Sequence, residues 1–132
     1  MLKNFHYKCN KLGNITNLKI EEIKKKRLKK NNVRVAIQAI GLNYVDILMI
    51  RGKYQHKILP PFTPGIEACG IIIEENCNDK KLINKKVIIN KKGGCFSEEI
   101  VLYLDEIIII PQEIDSALAA GTFVNTLTSY IS

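Results

Sequence analysis

Three features that would indicate a membrane, secreted or metal-binding protein are missing from this 132-residue sequence. No apolar run approaches the roughly 18–20 residues that a transmembrane helix requires. The first residues, MLKNFHYKCNKLGN, contain no apolar core of a signal peptide, so we expect a cytoplasmic protein. The four cysteines form no C-x-x-C pair, which favours small buried side chains over a zinc knuckle or a redox dithiol: Cys9, Cys69, Cys77 and Cys95. A chain of this length fits one globular domain with a modest core.

Acidic residues are scarce in the first third of the chain only. Residues 1–40 carry eleven Lys/Arg and two Glu, whereas residues 41–132 carry nine Lys/Arg and eleven Asp/Glu. The basic excess lies mainly in IEEIKKKRLKKNN (20–32), which has no aromatic side chain that could stack on bases. We interpret this segment as a solvated loop and expect neither nucleic acid nor a membrane as a partner. A basic surface at residues 24–30 for one of these partners is the alternative.

Most of the predicted secondary structure consists of short strands. Alternating and short apolar runs predict strands at 4–9, 18–23, 33–40, 67–75, 85–90, 96–103 and 106–111. In the third of these, three apolar residues alternate with three others as in a strand with one solvated face: Val33, Val35 and Ile37 against Arg34, Ala36 and Gln38. This pattern places Arg34 on the solvated side.

Two helical segments complete the predicted fold. Residues 43–50, NYVDILMI, suit a short helix with Asn43 as its N-cap and Gly52 at its end. Val45, Leu48 and Met49 share one face of this helix and predict an apolar side. Asp115 begins a short Ala-rich helix, and an apolar face at helical spacing follows: Phe123, Val124, Leu127, Tyr130 and Ile131. The sequence therefore predicts a mainly β, barrel-like domain with short helices over residues 1–114. The helical segment 115–132 packs either on this barrel or on a second domain.

Four blocks occur in a recognisable order: AIGLNYVDILMIRGKY (39–54), LPPFTPGIEACGII (59–72), GGCFSEEIVL (93–102) and ALAAGTFVNTLTSY (117–130). They resemble the N-terminal catalytic domain of the medium-chain dehydrogenase/reductase superfamily, in particular its zinc-free NADPH:quinone oxidoreductases (the zeta-crystallin-like group). The resemblance implies a GroES-like barrel, which a Rossmann domain with a glycine-rich phosphate loop follows in the family. This sequence has no such loop, because Gly93–Gly94 does not lead from a strand into a helix. We therefore expect the GroES-like domain without the Rossmann domain.

The same resemblance argues against a catalytic metal. Zinc enzymes of the superfamily have a Cys where this chain has Asn43, a His at Ile66 and a third ligand near Val124. Asn is a poor zinc ligand, and Ile and Val cannot bind zinc. The implied chemistry is direct hydride transfer from NADPH to a quinone or enone, whose reduced oxyanion is already delocalised.

The resemblance also implies three site residues. Asn43 matches a pocket residue beside the nicotinamide, where it would serve both catalysis and cofactor binding; Asn43 is also the predicted N-cap. Tyr54 matches a pocket tyrosine whose phenol can bond the oxygen of the acceptor, and its alternative is an aromatic covering the barrel edge. Thr128 matches a cofactor-binding threonine, and its alternative is a hydroxyl on a helix surface.

Other polar residues are interpreted as structural. Arg51 is expected to pair with Asp46 or Glu67, and Glu67 to be a buried or half-buried carboxylate paired with a cation. His6 and His56 are expected at the surface. Two asparagines stand where the family has glycines, and Asn tolerates left-handed backbone better than most residues: Asn76 and Asn84.

Three functions remain open from the sequence. The first is the half of an NADPH:quinone oxidoreductase that binds a quinone-type small molecule, with the Rossmann domain missing or supplied by a separate chain. The second is a truncated remnant or non-catalytic interaction domain, which the departures from the family pattern favour. The third is the basic module at residues 24–30. Little or no reductase activity is expected from this chain alone, because the family holds NADPH mainly through the Rossmann domain.

Overall fold

The computed structural model describes residues 3–121. Its strands are β1 (Phe5–Cys9), β2 (Leu18–Glu22), β3 (Asn32–Gly41), β4 (Glu67–Glu75), β5 (Lys86–Asn90), β6 (Glu99–Tyr103) and β7 (Ile107–Ile110). Helix α1 spans Tyr44–Arg51, residues 116–121 are also helical, and 3₁₀ turns cover Ile15–Asn17, Lys80–Leu82 and Leu104–Glu106. The predicted mainly β architecture with short helices is confirmed. No helix within residues 3–121 is long and apolar enough to cross a bilayer.

The strands form two antiparallel sheets. Strands β1 and β2 make a hairpin, and the larger sheet has the order β6-β3-β4-β5-β7. Single bridges from His6 to Ser97 and from Cys9 to Phe62 join β1 to the connections of the larger sheet. The core lies on the larger sheet and contains the buried side chains Val33, Val35, Ala68, Ile72, Leu82, Val87, Ile89, Cys95 and Leu102. Cys9, Cys69 and Cys95 are buried and Cys77 is half-buried, all as free thiols.

Arg34 is buried, and its predicted solvent exposure is wrong. Its side chain is 3% exposed, its Nε donates to Glu74 Oε2 at 2.8 Å, and its guanidinium also donates to the carbonyl of Lys26. The basic segment covers this face of β3 because Leu28 is buried and its carbonyl accepts from Asn76 Nδ2 at 3.1 Å. Strand alternation cannot reveal that the segment before the strand folds back over its outer face.

Replacing Glu74 by Gln is expected to lower the free energy of unfolding by about 1–3 kcal/mol. The change leaves a buried guanidinium without its counter-charge, and the partial exposure of Glu74 reduces the effect below that of a fully buried pair. Urea unfolding at neutral pH measures the change. Glu113→Gln, at an exposed position, is the matched control and is expected to change stability by less than about 0.5 kcal/mol. Equal effects of the two variants would contradict the structural role of the pair.

Helix α1 follows β3 directly and presents a mixed face to the interior. It begins after Asn43 and ends at Gly52, whose φ of 71° is left-handed, so both predicted caps are confirmed. The predicted apolar face is only partly right: Met49 is buried, but Asp46 and Ile50 are buried with it. Helix α1 therefore carries a carboxylate into the protein.

Gly41, at the end of β3, permits a close approach of the last described helix. A Cβ at this position would lie 2.4 Å from the carbonyl oxygen of Ala120 and 3.0 Å from the Glu67 carboxyl carbon. The helix at residues 116–121 begins after Asp115, whose Oδ1 accepts a hydrogen bond from the N–H of Leu118 at 2.9 Å. The predicted capping role of Asp115 is confirmed. This helix packs against Gly41, where the connection from β3 to α1 begins.

Only one of the two asparagines that were predicted to have a left-handed backbone has a positive φ. Asn84 has a φ of 71°, as predicted. Asn76 is not left-handed; Asn78 takes the positive φ of that turn, at 56°. Asn76 instead pairs through its backbone with the start of β3, since its N–H donates to the carbonyl of Asn32 at 2.9 Å.

Candidate active site

A polar cluster lies where α1 and β4 begin. The backbone N–H of Asn43 donates to Asp46 Oδ2 at 2.9 Å, and Asn43 Nδ2 donates to Glu67 Oε2 at 3.1 Å. The two carboxylates are 2% and 1% exposed. Within residues 3–121, Asp46 Oδ1 and Glu67 Oε1 have no hydrogen-bond partner. Asn43 thus joins two buried acids, and the bond to Glu67 fixes the orientation of its amide.

The predicted ion pairs of this cluster are wrong. None of the ion pairs that the structure describes includes Arg51, Asp46 or Glu67. Arg51 follows Asp46 by five residues, which is about 140° around a helix, so it projects to solvent while Asp46 faces inward. Glu67 is buried as expected, but its partner is the neutral amide of Asn43.

Burial governs the protonation of the groups around this cluster. It raises the pKa of the Asp46 carboxyl above its ordinary value; the backbone N–H groups of Asn43 and Ile66 lower it in part, and the charge of Glu67 raises it. Burial also raises the pKa of the nearby Cys95 thiol to about 12, with a smaller contribution from Asp46. Cys95 therefore stays a protonated thiol and is a poor nucleophile.

Asp46→Asn is expected to gain stability relative to the unsubstituted chain as pH rises. Because the folded-state pKa of Asp46 lies above its unfolded value, the folded state binds more protons between the two pKa values, so this carboxyl destabilises the fold as pH rises through that window. Asn carries no charge and lacks this penalty. Urea unfolding from about pH 3.5 to pH 7 gives the difference between the two proteins at each pH. A difference that stays constant, or that turns against Asp46→Asn on raising pH, would contradict the raised pKa.

A cavity of about 340 Å³ opens beside the polar cluster, between α1, the loop after it and the end of β5. Its walls combine apolar side chains with polar groups: Val45, Met49, Ile58 and Ile66, with Tyr54, His56, Asn90, Lys91 and Lys92. The ring of Tyr54 meets that of His56 edge to face, with centroids 6.0 Å apart. The volume falls at the lower end of the range of small-molecule sites, about 300–1,000 Å³.

Two loops joined by backbone hydrogen bonds hold the far wall of this cavity. The N–H of Lys91 donates to the carbonyl of Ile66 at 2.9 Å, and the N–H of Gly94 donates to that of Thr63 at 2.7 Å. Cys95 N–H donates in turn to the carbonyl of Gly65 at 3.1 Å. These bonds hold the turn at Gly93–Gly94 against the loop 59–66, and they fix the backbone of Ile66 next to that of Lys91.

Of the three predicted site residues, the structure describes two and places them in different parts of the site. Tyr54 lines the cavity together with Ile66, whereas Asn43 lies in the polar cluster and is not among the lining residues. Thr128 and Val124 lie outside the described residues. These site assignments remain predictions.

Sequence reasoning missed most of the cavity residues, among them a histidine and two lysines. His56 is exposed, as expected, but it borders the cavity, as do Lys91 and Lys92. The two lysines follow β5 and reach the cavity only through the pairing of their loop with residues 63–66. No local sequence pattern signals that pairing.

The cavity wall at Ile66 is hydrocarbon. Within residues 3–121, no three His, Cys, Asp or Glu side chains come together in an arrangement that could hold a metal ion. Ile66 contributes an apolar surface to the cavity. In the medium-chain dehydrogenase/reductase superfamily, which this sequence resembles, the zinc enzymes have a histidine ligand at this position. This position suits contact with an apolar ring rather than coordination.

Comparisons with known proteins agree with this architecture. The model of the alcohol dehydrogenase GroES-like domain family matches residues 29–112. A quinone oxidoreductase-like protein 2 homolog of Nematostella vectensis is 32% identical over 125 residues, which are 93% of this chain and 34% of that protein. A synaptic vesicle membrane protein VAT-1 homolog of Danio rerio is 31% identical over 109 residues, 81% of this chain and 22% of that protein.

A solved structure extends the likeness to the fold. The quinone oxidoreductase of Escherichia coli, complexed with NADPH, has a TM-score of 0.86 and 26% identity, and the match covers 96% of this chain and 39% of that one. The chain thus spans about a third or less of the length of the curated relatives named here. It belongs to the alcohol dehydrogenase GroES-like domain family, and it is similar to quinone oxidoreductase-like and VAT-1-like proteins.

Proposed function

We propose that this chain forms the acceptor-binding part of an NADPH:quinone oxidoreductase, which transfers a hydride to a quinone or an enone. The observation that carries the proposal is the cavity with apolar walls from Val45, Met49 and Ile66 and a single phenol, Tyr54. Apolar walls suit a flat ring, and a few placed polar groups orient it. We also propose a cytoplasmic location, as expected from the N-terminal residues.

Tyr54 has the chemistry to bind the reacting oxygen. A phenol donates one hydrogen bond, and a donor aimed at an oxygen that gains negative charge stabilises the transition state more than the ground state. The reduced quinone spreads this charge over its ring, so the reaction needs no metal at Ile66. In this proposal Tyr54 orients the acceptor and the hydrocarbon walls keep water from it.

NADPH supplies the hydride when bound, and this chain offers only a small part of its site. Asn43 and Thr128 are the residues proposed to bind the nicotinamide. The amide of Asn43 fits this role because Glu67 already fixes its orientation. No glycine-rich phosphate loop occurs in the 132 residues. We therefore propose that the phosphates of NADPH bind a Rossmann domain outside them, on a separate chain or elsewhere in a longer protein.

Exposed apolar side chains support a second candidate, a non-catalytic interaction domain. Leu42 and Tyr44, on either side of Asn43, are 82% and 70% exposed, and Leu59 is 80% exposed. Such side chains suit contact with another protein surface. An interaction domain does not require a ligand in the Tyr54 cavity, so ligand binding distinguishes the two candidates.

Tyr54→Leu is expected to weaken binding of a neutral quinone about five- to tenfold. The change removes the hydroxyl donor and the ring edge while keeping an apolar side chain of fair size. The probe is anthraquinone-2-carboxamide, titrated into the ¹⁵N-labelled chain and followed by NMR shifts at residues 54–58 and 66. Tyr103→Leu, at an exposed position on β6, is the control and is expected to bind as the unsubstituted chain does.

Two results of this titration would count against the proposal. The first is an absence of shifts at the cavity at ligand concentrations up to the solubility limit, which would favour the interaction domain. The second is an equal affinity of the Tyr54→Leu and Tyr103→Leu variants for the quinone, which would mean that Tyr54 does not contact the ligand. Tyr54→Phe then separates the two contributions, because it removes only the hydroxyl.

A further inference from the structure

The charged side chains described as lining the Tyr54 cavity are both lysines. Lys91 and Lys92 line it, and none of the described lining residues is an Asp or a Glu. The acids of the neighbouring cluster, Asp46 and Glu67, are buried and accept hydrogen bonds from Asn43. The cavity thus combines an apolar interior with a cationic edge.

The two lysines differ in how far their charge is already balanced. Lys91 is half-buried, and its Nζ lies 3.2 Å from Glu106 Oε2. Lys91 also lowers the pKa of Cys95 while Asp46 and Glu67 raise it, so its charge acts on the same region as theirs. Lys92 is exposed, and none of the ion pairs within residues 3–121 includes it. Among the described residues, Lys92 is therefore the lining cation that has no ion-pair partner.

The backbone holds Lys92 at this edge. The hydrogen bonds from Lys91 to Ile66 and from Gly94 to Thr63 bracket it on both sides. Only its side chain remains free to move, so an anion at the edge need not order the backbone. A lysine so placed acts as a point charge for carboxylate, sulfonate or phosphate.

We propose that the acceptor of this protein carries an anionic group, which Lys92 binds at the cavity edge while the electron-poor ring occupies the apolar interior. This inference rests on the function proposed above and adds a substrate class to it. Neutral quinones then bind through the ring alone. An anionic quinone or an unsaturated carboxylate binds through both parts.

A matched ligand pair tests the assignment. Anthraquinone-2-carboxylate and anthraquinone-2-carboxamide have nearly the same shape and differ by one charge. We expect the 132-residue chain to bind the carboxylate about three- to tenfold more tightly, with NMR shifts at residues 54–58, 66 and 90–93. The preference is expected to fall to about onefold in Lys92→Gln and to shrink in 0.5 M salt, because the pair at the edge is exposed.

A control variant shows whether the preference for the carboxylate depends on the charge of Lys92 or only on the net charge of +7. Lys25→Gln removes one cation from the basic segment, which lines a different cavity, and is expected to keep the full preference. Equal loss in Lys25→Gln and Lys92→Gln would overturn the proposal, as would carboxylate-induced shifts confined to residues 24–30. A preference lost in Lys91→Gln but kept in Lys92→Gln would overturn the assignment to Lys92.

The same titrations separate the two levels of the argument. If both ligands bind at the cavity with equal affinity, the anionic acceptor is wrong and the proposed function stands. If neither ligand shifts the cavity residues, both proposals fail.

Discussion

The purified 132-residue chain is expected to oxidise NADPH in the presence of a quinone at no more than about one thousandth of the rate of a full-length relative. Hydride transfer requires the nicotinamide and the acceptor ring in contact at a defined angle. Holding two reactants in such a geometry is worth effective concentrations of about 10⁵–10⁸ M. Under the proposed function this chain contributes a cavity for the acceptor and, for the nicotinamide, the two proposed residues Asn43 and Thr128.

The measurement is the loss of NADPH absorbance with the chain, with buffer and with the Escherichia coli quinone oxidoreductase as the positive control. The titration with anthraquinone-2-carboxamide is run on the same preparation. Inactive protein that still shows cavity shifts has the acceptor site without the cofactor site, as proposed. A rate within about tenfold of the positive control would mean that these 132 residues bind NADPH productively, and the assignment of its phosphates to another domain would be wrong.

The fold was largely predictable because its strands carry strong local signals. The apolar runs at β4, β5 and β7 and the helix between Asn43 and Gly52 were all found from residue type and spacing. These features depend on neighbours within a few residues. The family resemblance then implied a GroES-like barrel, which local pattern alone does not determine.

The candidate site was less predictable because distant segments build it. The same limit applies outside the site: Arg34 was predicted to be solvated, but the carbonyl of Lys26 and the side chain of Glu74 cover the outer face of β3 on which it lies. Glu67 was given a cation, whereas the fold brings it the amide of Asn43. Lys91 and Lys92 were not considered, because their place at the cavity depends on the pairing of residues 63–66 with 91–96.

Gly65→Ala is expected to lower the free energy of unfolding by about 3–5 kcal/mol and the Tm by at least about 10 °C. Gly65 has a φ of 105°, where an L-residue is strained. An added Cβ would lie 2.6 Å from Phe96 Cδ1 and 2.7 Å from the Phe96 backbone nitrogen. A side chain can rotate away, but the backbone nitrogen cannot move without breaking its bond to the carbonyl of Pro64, at 2.9 Å.

Gly121→Ala is the matched control, because no atom of the described residues 3–121 lies within 4 Å of an added Cβ there. We expect it to change stability by less than about 1 kcal/mol, whereas equal Tm values for the two variants would contradict the packing at Gly65. The Gly65 variant also tests the origin of the cavity. If the paired loops form it, Gly65→Ala loses quinone binding at temperatures where its NMR spectrum still shows the β3–β4 core. Unchanged binding in such a folded variant would mean that α1 and Tyr54 form the site without the loop that carries Ile66.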